Sequence, residues 1–596
     1  MKPSFSYILV TLLLLMSCVK EGEKQIVDDL SPAQNATIYG KVTCNGVPVA
    51  GVVVSDGVIC GRTDGKGVYN LKSAKRNGQV FISVPSGYVT PYAWSETYKI
   101  IKENPGCCDE VWFSTGMGFL PREWHEDKVE RISRAMAQLK EIGIGASLQF
   151  QMTIGHGDKF GVGNEHLYAE KTWRGWTGSQ GVEAKYSSCP RNPEFMEYIR
   201  NVSRIYASLN PAYIWVDDDL RYDNHKPATL ESHIGCWCDE CIAEFNERHS
   251  GRWTRQTLAS AIEKDKALDS LWHSWCVETL CDIAAAISEE VHKVSPQTKM
   301  AFQGKKEDFV VYHVKAILSV MHEKTGLPVG YRPGTGPRFD VDGPSGQIIK
   351  SMQSARFIEL IGNPSFVDIW CPEIETWPRV YGSRTGQGVL VEAFTALAYG
   401  LNSVSMFMMA ADMEPAELYS RTLLKPVSDG SDVLVRYASA NEGTSVAGYS
   451  STASCDLLYE FARTGVPVLP GVGNSLGEVP VDQILEVNIP KQLSADIQKL
   501  RDRLDAPAVC CSPFVGLIIP RVSADGSLRT VGVVNTRIDS QEEIRIRLAG
   551  VPEKAKVTWH ELKKKPLRCR VESVDGQTYV TIPQIAAWNA GFLDIK

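Results

Sequence analysis

The sequence predicts a multidomain α/β protein, a (β/α)8 TIM barrel with an N-terminal small β-sandwich and C-terminal α/β and β-sandwich domains. Three observations predict it. At 596 residues the chain exceeds one ordinary hydrophobic core. In its middle, apolar runs of strand length alternate with amphipathic stretches of helical length over roughly three hundred residues. Short β-branched runs separated by turn signals stand at either end of that middle.

Composition narrows the class of partner. Charged residues make up 22% and hydrophobic ones 43%, and the net charge of -7 includes no basic run. That is a globular composition without the electrostatic footprint of a nucleic-acid binder, so no DNA or RNA partner is expected.

Taken in order, residues 1–18 read as an export signal. "MKPSFSYILVTLLLLMSC" offers a lysine, then an apolar stretch from Tyr7 to Met16, too short to span a bilayer, then small residues and a cysteine. "LMSC" resembles the lipobox of bacterial lipoproteins, which implies cleavage before Cys18 and lipid attachment to its thiol. No later segment is long and apolar enough to cross a membrane. Membrane contact is therefore expected through this anchor alone, with the mature chain exported to the cell envelope, at the outer membrane or cell surface. Residues 19–35 form a polar tether.

Residues 36–92 alternate β-branched runs with "NG", "DG" and "PSG" turns, the pattern of a small β-sandwich. The segment resembles carboxypeptidase-regulatory-like modules and the amino-terminal module of some bacterial calcineurin-like phosphoesterases. A phosphoesterase would need metal-binding Asp, His and Asn motifs downstream. "GHGD" at Gly155 to Asp158 is not such a series, so the module is expected to act as a spacer.

Residues 93–425 carry the barrel. Its expected strands are "DEVWFS", "GASLQFQM", "AYIWVDD", "KMAFQG", "PVGYRPG", "SFVDIWCPEIE" and "SVSMFMM", with helices such as "EDKVERISRAMAQLKEIG", "PEFMEYIRNVSRIYASL" and "LDSLWHSWCVETLCDIAAAISEEVHKV" between them. A barrel is favoured over an open doubly wound sheet because no Gly-rich phosphate fingerprint follows the first strand. The eighth strand is either poorly marked or lies near "PYAWSETYK". Residues 426–505 read as an α/β domain and 506–596 as a closing β-sandwich.

Barrel enzymes carry their chemistry at the carboxyl ends of the strands, where "YIWVDDDL" and "IWCPEIETWP" concentrate acids. Alternate strand residues share a face, so Asp217 and Asp219 point together, as do Glu373 and Glu375. Glycoside hydrolysis needs one protonated carboxyl group and one ionised one, and crowded acids split their pKa values in that sense. The same acids could also bind a cation, cap a helix, or pair with Arg221 and Arg379. Arg221 either holds the acidic cluster together or binds an acidic sugar. Trp377, and less so Trp124, Trp215 and Trp237, could stack on a pyranose face. His156 and His225 are candidate hydroxyl ligands.

"VDDDLRY" followed by "GCWCDECIAEFNERHS" resembles family 42 glycoside hydrolases, in which an Asn-Glu pair ends the fourth strand and a Cys-x-Cys-x-x-Cys loop follows. "IETWPR" with "VEAFTALAYGLNSVSMFMM" is similar to that family's seventh strand, its nucleophilic glutamate, and the elements that close the barrel. The likeness covers the barrel and, more faintly, the α/β domain, which matches the family's trimerisation domain and implies a homo-oligomer. It places Glu375 on the nucleophile and Asp219 on the acid/base. Cys236, Cys238 and Cys241 fall on three zinc thiolates and Cys189 on a fourth. Asp218 stands where the family has asparagine, and Asp219 where it has glutamate. An ionised aspartate cannot donate to a sugar hydroxyl, so substrate contacts must differ. The shorter acid withdraws its carboxyl by about 1.5 Å, which leaves retention or inversion open, and a bulge would turn Asp218 inward instead.

Four thiolates would close a structural zinc site. The other reading of these cysteines, in an exported chain with sixteen, is a disulfide with one thiol spare. The expected function is hydrolysis of a glycosidic bond in a carbohydrate substrate by Glu375 with Asp218 or Asp219, and with Asp217, Glu373 and Arg221 beside them. The second reading is a non-catalytic carbohydrate-binding surface lipoprotein.

Overall fold

The computed structural model describes residues 38–44, 46–55, 60–71, 91–151, 153–222, 233–305, 308–336, 338–340, 343–374, 384–406, 416–450, 452–471, 473–478, 499 and 506–596. Cys18 and the tether lie outside them. So do His225, Glu375, Trp377 and Arg379.

The amino-terminal module consists of short antiparallel pairs. Ile38–Lys41 runs beside Val68–Leu71, and Val53–Ser55 beside Cys60–Arg62. Thr63 joins them, its hydroxyl donating to Val49 O at 2.7 Å and accepting from Val52 N at 2.9 Å.

The barrel strands follow in sequence order. They are β1 (Glu110–Ser114), β2 (Gly145–Phe150), β3 (Tyr213–Val216), β4 (Lys299–Lys305), β5 (Val329–Gly334) and β6 (Val367–Trp370), all parallel in one six-stranded sheet. After two residues β6 resumes as β7 (Glu373–Ile374), which pairs in parallel with β8 (Ser405–Met406). Each of the seven expected strands is therefore present. The helices α2 (Arg122–Glu141), α3 (Pro193–Ala207), α4 (Asp239–Arg248), α5 (Lys266–Val294), α6 (Asp308–Thr325), α7 (Gly343–Leu360), α8 (Gly386–Ala398) and α9 (Lys425–Ala440) lie in the connections and after β8.

Two expectations need correction. "PYAWSETYK" is not the eighth strand: it opens a helix, α1 (Pro91–Glu103). Trp94, Thr97 and Ile101, spaced three and four apart, are all buried, and Trp94 packs on Phe113 of β1 with ring centroids 5.3 Å apart and the planes tilted by 54°. Helical periodicity overrides the strand preference of its aromatic residues. Among the described residues the acid strand β3 is also third in the row, not fourth, and β6–β7 sixth, not seventh.

The inward faces stack in layers, as barrel interiors do. At the floor, Lys299 Nζ meets Asp368 at 2.5 Å, and Tyr213 donates to the same carboxylate at 3.1 Å. Above it, Trp215 stacks on Trp112 with centroids 4.1 Å apart, beside Ala301 and Cys371. Gly330 makes room for this indole, because a Cβ there would stand 2.9 Å from Trp215 Cη2 and 3.0 Å from Ala301 Cβ. Gly330→Ala is expected to cost roughly 1–3 kcal/mol by overpacking, measurable as a lower urea midpoint. Ile214 and Val216 face outward into the helical core.

Behind the barrel, a mixed sheet runs Val468–Leu469, Ser445–Ser450, Gly516–Val522, Leu528–Asn535, Ala590–Ile595, Val557–Glu561 and Leu567–Arg568. A second sheet, Ala508–Cys510, Gln541–Leu548, Gln577–Ile585 and Arg570–Val574, packs over it around Ile544, Ile546, Val580 and Leu593. One sheet thus passes through both carboxyl-terminal segments. Arg521, on its Gly516–Val522 strand, donates to Leu397 O and Ala398 O at the end of α8, and to Thr444 O at 2.9 Å. Described helices include none long and apolar enough to cross a membrane.

Candidate active site

The topmost inward layer is polar, with side chains from the ends of β2, β3, β4, β5 and β7. Gln149 Nε2 donates to Asp217 Oδ1 at 3.0 Å and to Gln303 Oε1 at 3.0 Å. Gln303 Oε1 also accepts from Arg332 Nη2 at 2.8 Å, and Arg332 Nη1 binds Glu373 Oε1. On the other oxygen, Glu373 accepts from the backbone N–H groups of Thr335 and Gly336, each at 2.8 Å. A continuous hydrogen-bonded arc therefore joins Asp217 to Glu373 around the mouth.

The two acids at its ends are driven in opposite directions. Burial, then the like charges of Asp219 and Asp218, outweigh Arg332 and the Gln149 N–H and push Asp217 up to about 7. Burial also opposes ionisation of Glu373. There the positive charges of Arg332 and Lys350, with the backbone donors, prevail and hold it at about 2. Glu373 consequently stabilises the fold above the ordinary glutamate range, a contribution lost as pH falls from about 4.5 toward 2. Arg332→Gln would strand this carboxylate and is expected to cost roughly 3–5 kcal/mol in urea denaturation at neutral pH.

The remaining acids of the triplet differ in exposure. Asp219 is fully buried, and His156 Nδ1 lies 2.9 and 2.8 Å from its two oxygens. Burial disfavours the imidazolium, but Asp219, then Asp217 and Asp218, raise the His156 pKa above its usual value. Asp218 is the triplet member open to solvent, its side chain 27% exposed and bound by Arg221 Nη1 at 2.5 Å. Of the three aspartates, Asp218 is the one this guanidinium pairs with. The carboxylates of the triplet lie within 4.8 Å of one another. Close by, Thr153 Oγ1, Tyr168 OH, Thr335 Oγ1 and Gln149 Oε1 are buried without a protein hydrogen-bond partner.

The four cysteines also meet. Cys189 Sγ lies 3.6, 3.7 and 3.8 Å from those of Cys236, Cys238 and Cys241, and all four are buried free thiols. Four sulfurs about 2.3 Å from a central ion stand about 3.8 Å apart along a tetrahedral edge, whereas a disulfide needs about 2.05 Å. The donor set fits a tetrahedral metal ion. N–H groups already point at the sulfurs, from Thr177 N to Cys236 and from Arg174 Nη2 to Cys238, both at 3.4 Å. Cys189 ends the connection that follows β2 and carries His156, Cys236 and Cys238 end the one that follows β3 and carries the aspartates, and Cys241 lies in the first turn of α4.

Several expected or overlooked residues can now be located. Trp237 and Trp215 are buried, Trp237 against Trp272 at 4.2 Å, and neither reaches a ligand at the mouth; Trp124 is half-buried. Gln149, Gln303 and Arg332 escaped sequence reasoning. Their signal was a polar residue at inward parity near the end of an otherwise apolar strand.

A family model described as the N terminal of calcineurin-like phosphoesterase matches residues 36–107. No curated protein matches the chain. Solved structures similar to it include glycoside hydrolases. Alpha-L-fucosidase isoenzyme 2 from Paenibacillus thiaminolyticus shares 7% identity at a TM-score of 0.48, over 85% of this chain and 96% of that one. The β-galactosidase from Bacillus circulans sp. alkalophilus shares 10% at 0.45, over 85% and 97%. Gan42B, a GH42 β-galactosidase, shares 10% at 0.46, over 85% and 96%.

Proposed function

We propose that the protein is a glycoside hydrolase, exported and held to the cell envelope by lipid on Cys18. One observation carries the reading: at the mouth of a parallel barrel, a carboxyl group that keeps its proton to about pH 7, Asp217, shares a hydrogen-bonded arc with one ionised from about pH 2 upward, Glu373. An environment that keeps an acid protonated near neutral pH assigns Asp217 as the proton donor.

Asp217 supplies the proton to the departing glycosidic oxygen, within an aspartate cluster that titrates as a unit. Asp218, the solvent-facing member, receives the substrate, and Asp219 fixes His156 at the rim. Glu373 already accepts from Arg332 and two backbone N–H groups, which suits it to anchor the strand end. Glu375, which lies outside the described residues, is the proposed nucleophile or base from its place in the sequence two residues after Glu373. Sugar hydroxyl groups both donate and accept, and would satisfy the unpartnered Thr153, Tyr168, Thr335 and Gln149 atoms. Zinc on Cys189, Cys236, Cys238 and Cys241 would supply no chemistry to the reaction; it would fasten the two loops that present His156 and the aspartates.

The test is release of nitrophenol from a panel of 4-nitrophenyl glycosides by the purified protein and by Glu375→Gln. Hydrolysis by the wild type and its loss in the variant are expected. A wild type that hydrolyses none of a broad panel yet binds oligosaccharides would establish the second reading, a carbohydrate-binding lipoprotein. One observation favours that alternative: Asp218, Asp219 and Glu373 each already hold a basic partner.

A further inference from the structure

Among the described residues β1 and β8 face each other without pairing, and a cavity of about 500 Å³ opens at this seam. It lies away from the polar mouth. Its inner wall is the indole pair of Trp112 and Trp215, its sides are apolar residues of α8 and α9 such as Ala393 and Leu434, and its outer rim carries Asp109, Glu110 and Asp432. Among the described residues, no lysine, arginine or histidine lines it.

Three features specify what such a space would take. Its ionisable carboxyl groups are all acidic, so its field favours a cation. The stacked indoles offer an aromatic wall to which an organic cation is attracted, by roughly 0.5–2 kcal/mol. The Trp215 Nε1–H is buried and has no protein acceptor, although Trp112 Nε1 donates to Glu110 at 2.7 Å. We propose that the seam cavity is a second binding site, for a small organic cation: a protonated amine on a flat apolar body that also bears an oxygen able to accept from Trp215. Glu110 provides the counter-charge. Burial raises the pKa of its carboxyl group, and a bound ammonium offsets that cost.

The probe is 4-methoxybenzylamine, titrated calorimetrically into the purified protein, with 4-methoxybenzoate as the control of equal shape and opposite charge. The amine is expected to bind at least tenfold more tightly than the benzoate, and more tightly as pH rises through the range in which Glu110 ionises. Ala393→Phe, which fills the cavity, should weaken it at least tenfold. Glu110→Gln, a near-isosteric change in a half-buried side chain, should weaken it about tenfold without altering the fold. Asp217→Asn should leave binding unchanged, which separates this site from the mouth. Equal affinities for amine and benzoate, no binding of either, or binding lost in Asp217→Asn but kept in Ala393→Phe and Glu110→Gln would each overturn the proposal.

Discussion

Asp217→Asn is expected to lower kcat on glycosides with poor leaving groups by roughly 10²–10⁴-fold, the range that general acid catalysis supplies. Asparagine keeps the shape and the hydrogen bond to Gln149 but holds no transferable proton. On 2,4-dinitrophenyl glycosides, whose leaving group departs without protonation, the variant should come close to the wild type. The wild-type pH profile should show the same group. Because Asp217 acts while protonated, kcat/KM should fall tenfold per pH unit above about 7, a limb that vanishes in the variant. An equal loss on both substrate types, or a basic limb that persists, would move the proton donor elsewhere in the cluster.

Cys238→Ser carries the second large effect. The sulfur accepts from Arg174 and from Cys241 N, and caps the amino end of α4, so its loss opens the four-sulfur cluster and the start of that helix together. Metal content is expected to fall from about one zinc per chain to well below a tenth, and Tm to drop by on the order of 10 °C. Chelation of the wild type should reproduce the fall in Tm. Activity should decline with it, since the cage fixes the loops bearing His156 and Asp219. A variant that retains zinc and Tm would return these thiols to ordinary core packing.

How far the residues alone could have led differs between strands and site. Apolar runs such as "YIWV" and "VGYR" marked their strands because both faces are buried, one against helices and one in the barrel layers. "PYAWSETYK" misled because aromatic residues suit strands, while its burial period emerges only over the full length of α1. Cys-x-Cys-x-x-Cys was visible as a local motif. Cys189 lies 47 residues before Cys236 and could be joined to it only through a family resemblance. The arc of Gln149, Gln303 and Arg332 takes one residue from each of three strands, so no local window contains it. The aspartate triplet was legible as charge, but its division into a proton-holding, a solvent-facing and a histidine-bound member depends on exposure, which sequence does not carry.

Arg521 gives the carboxyl-terminal sheet a second consequence, for how the chain can be handled. By gripping the last carbonyls of α8 it makes a distant strand the cap of a barrel helix, and the same sheet takes in Ser445–Ser450. The barrel is accordingly not a detachable cassette. A chain cut after residue 505 would strip the Arg521 bonds from the end of α8 and bare the hydrogen-bonding edge of Ser445–Ser450, inviting self-association. Calorimetry of the intact protein should find the barrel and the final sandwich melting together.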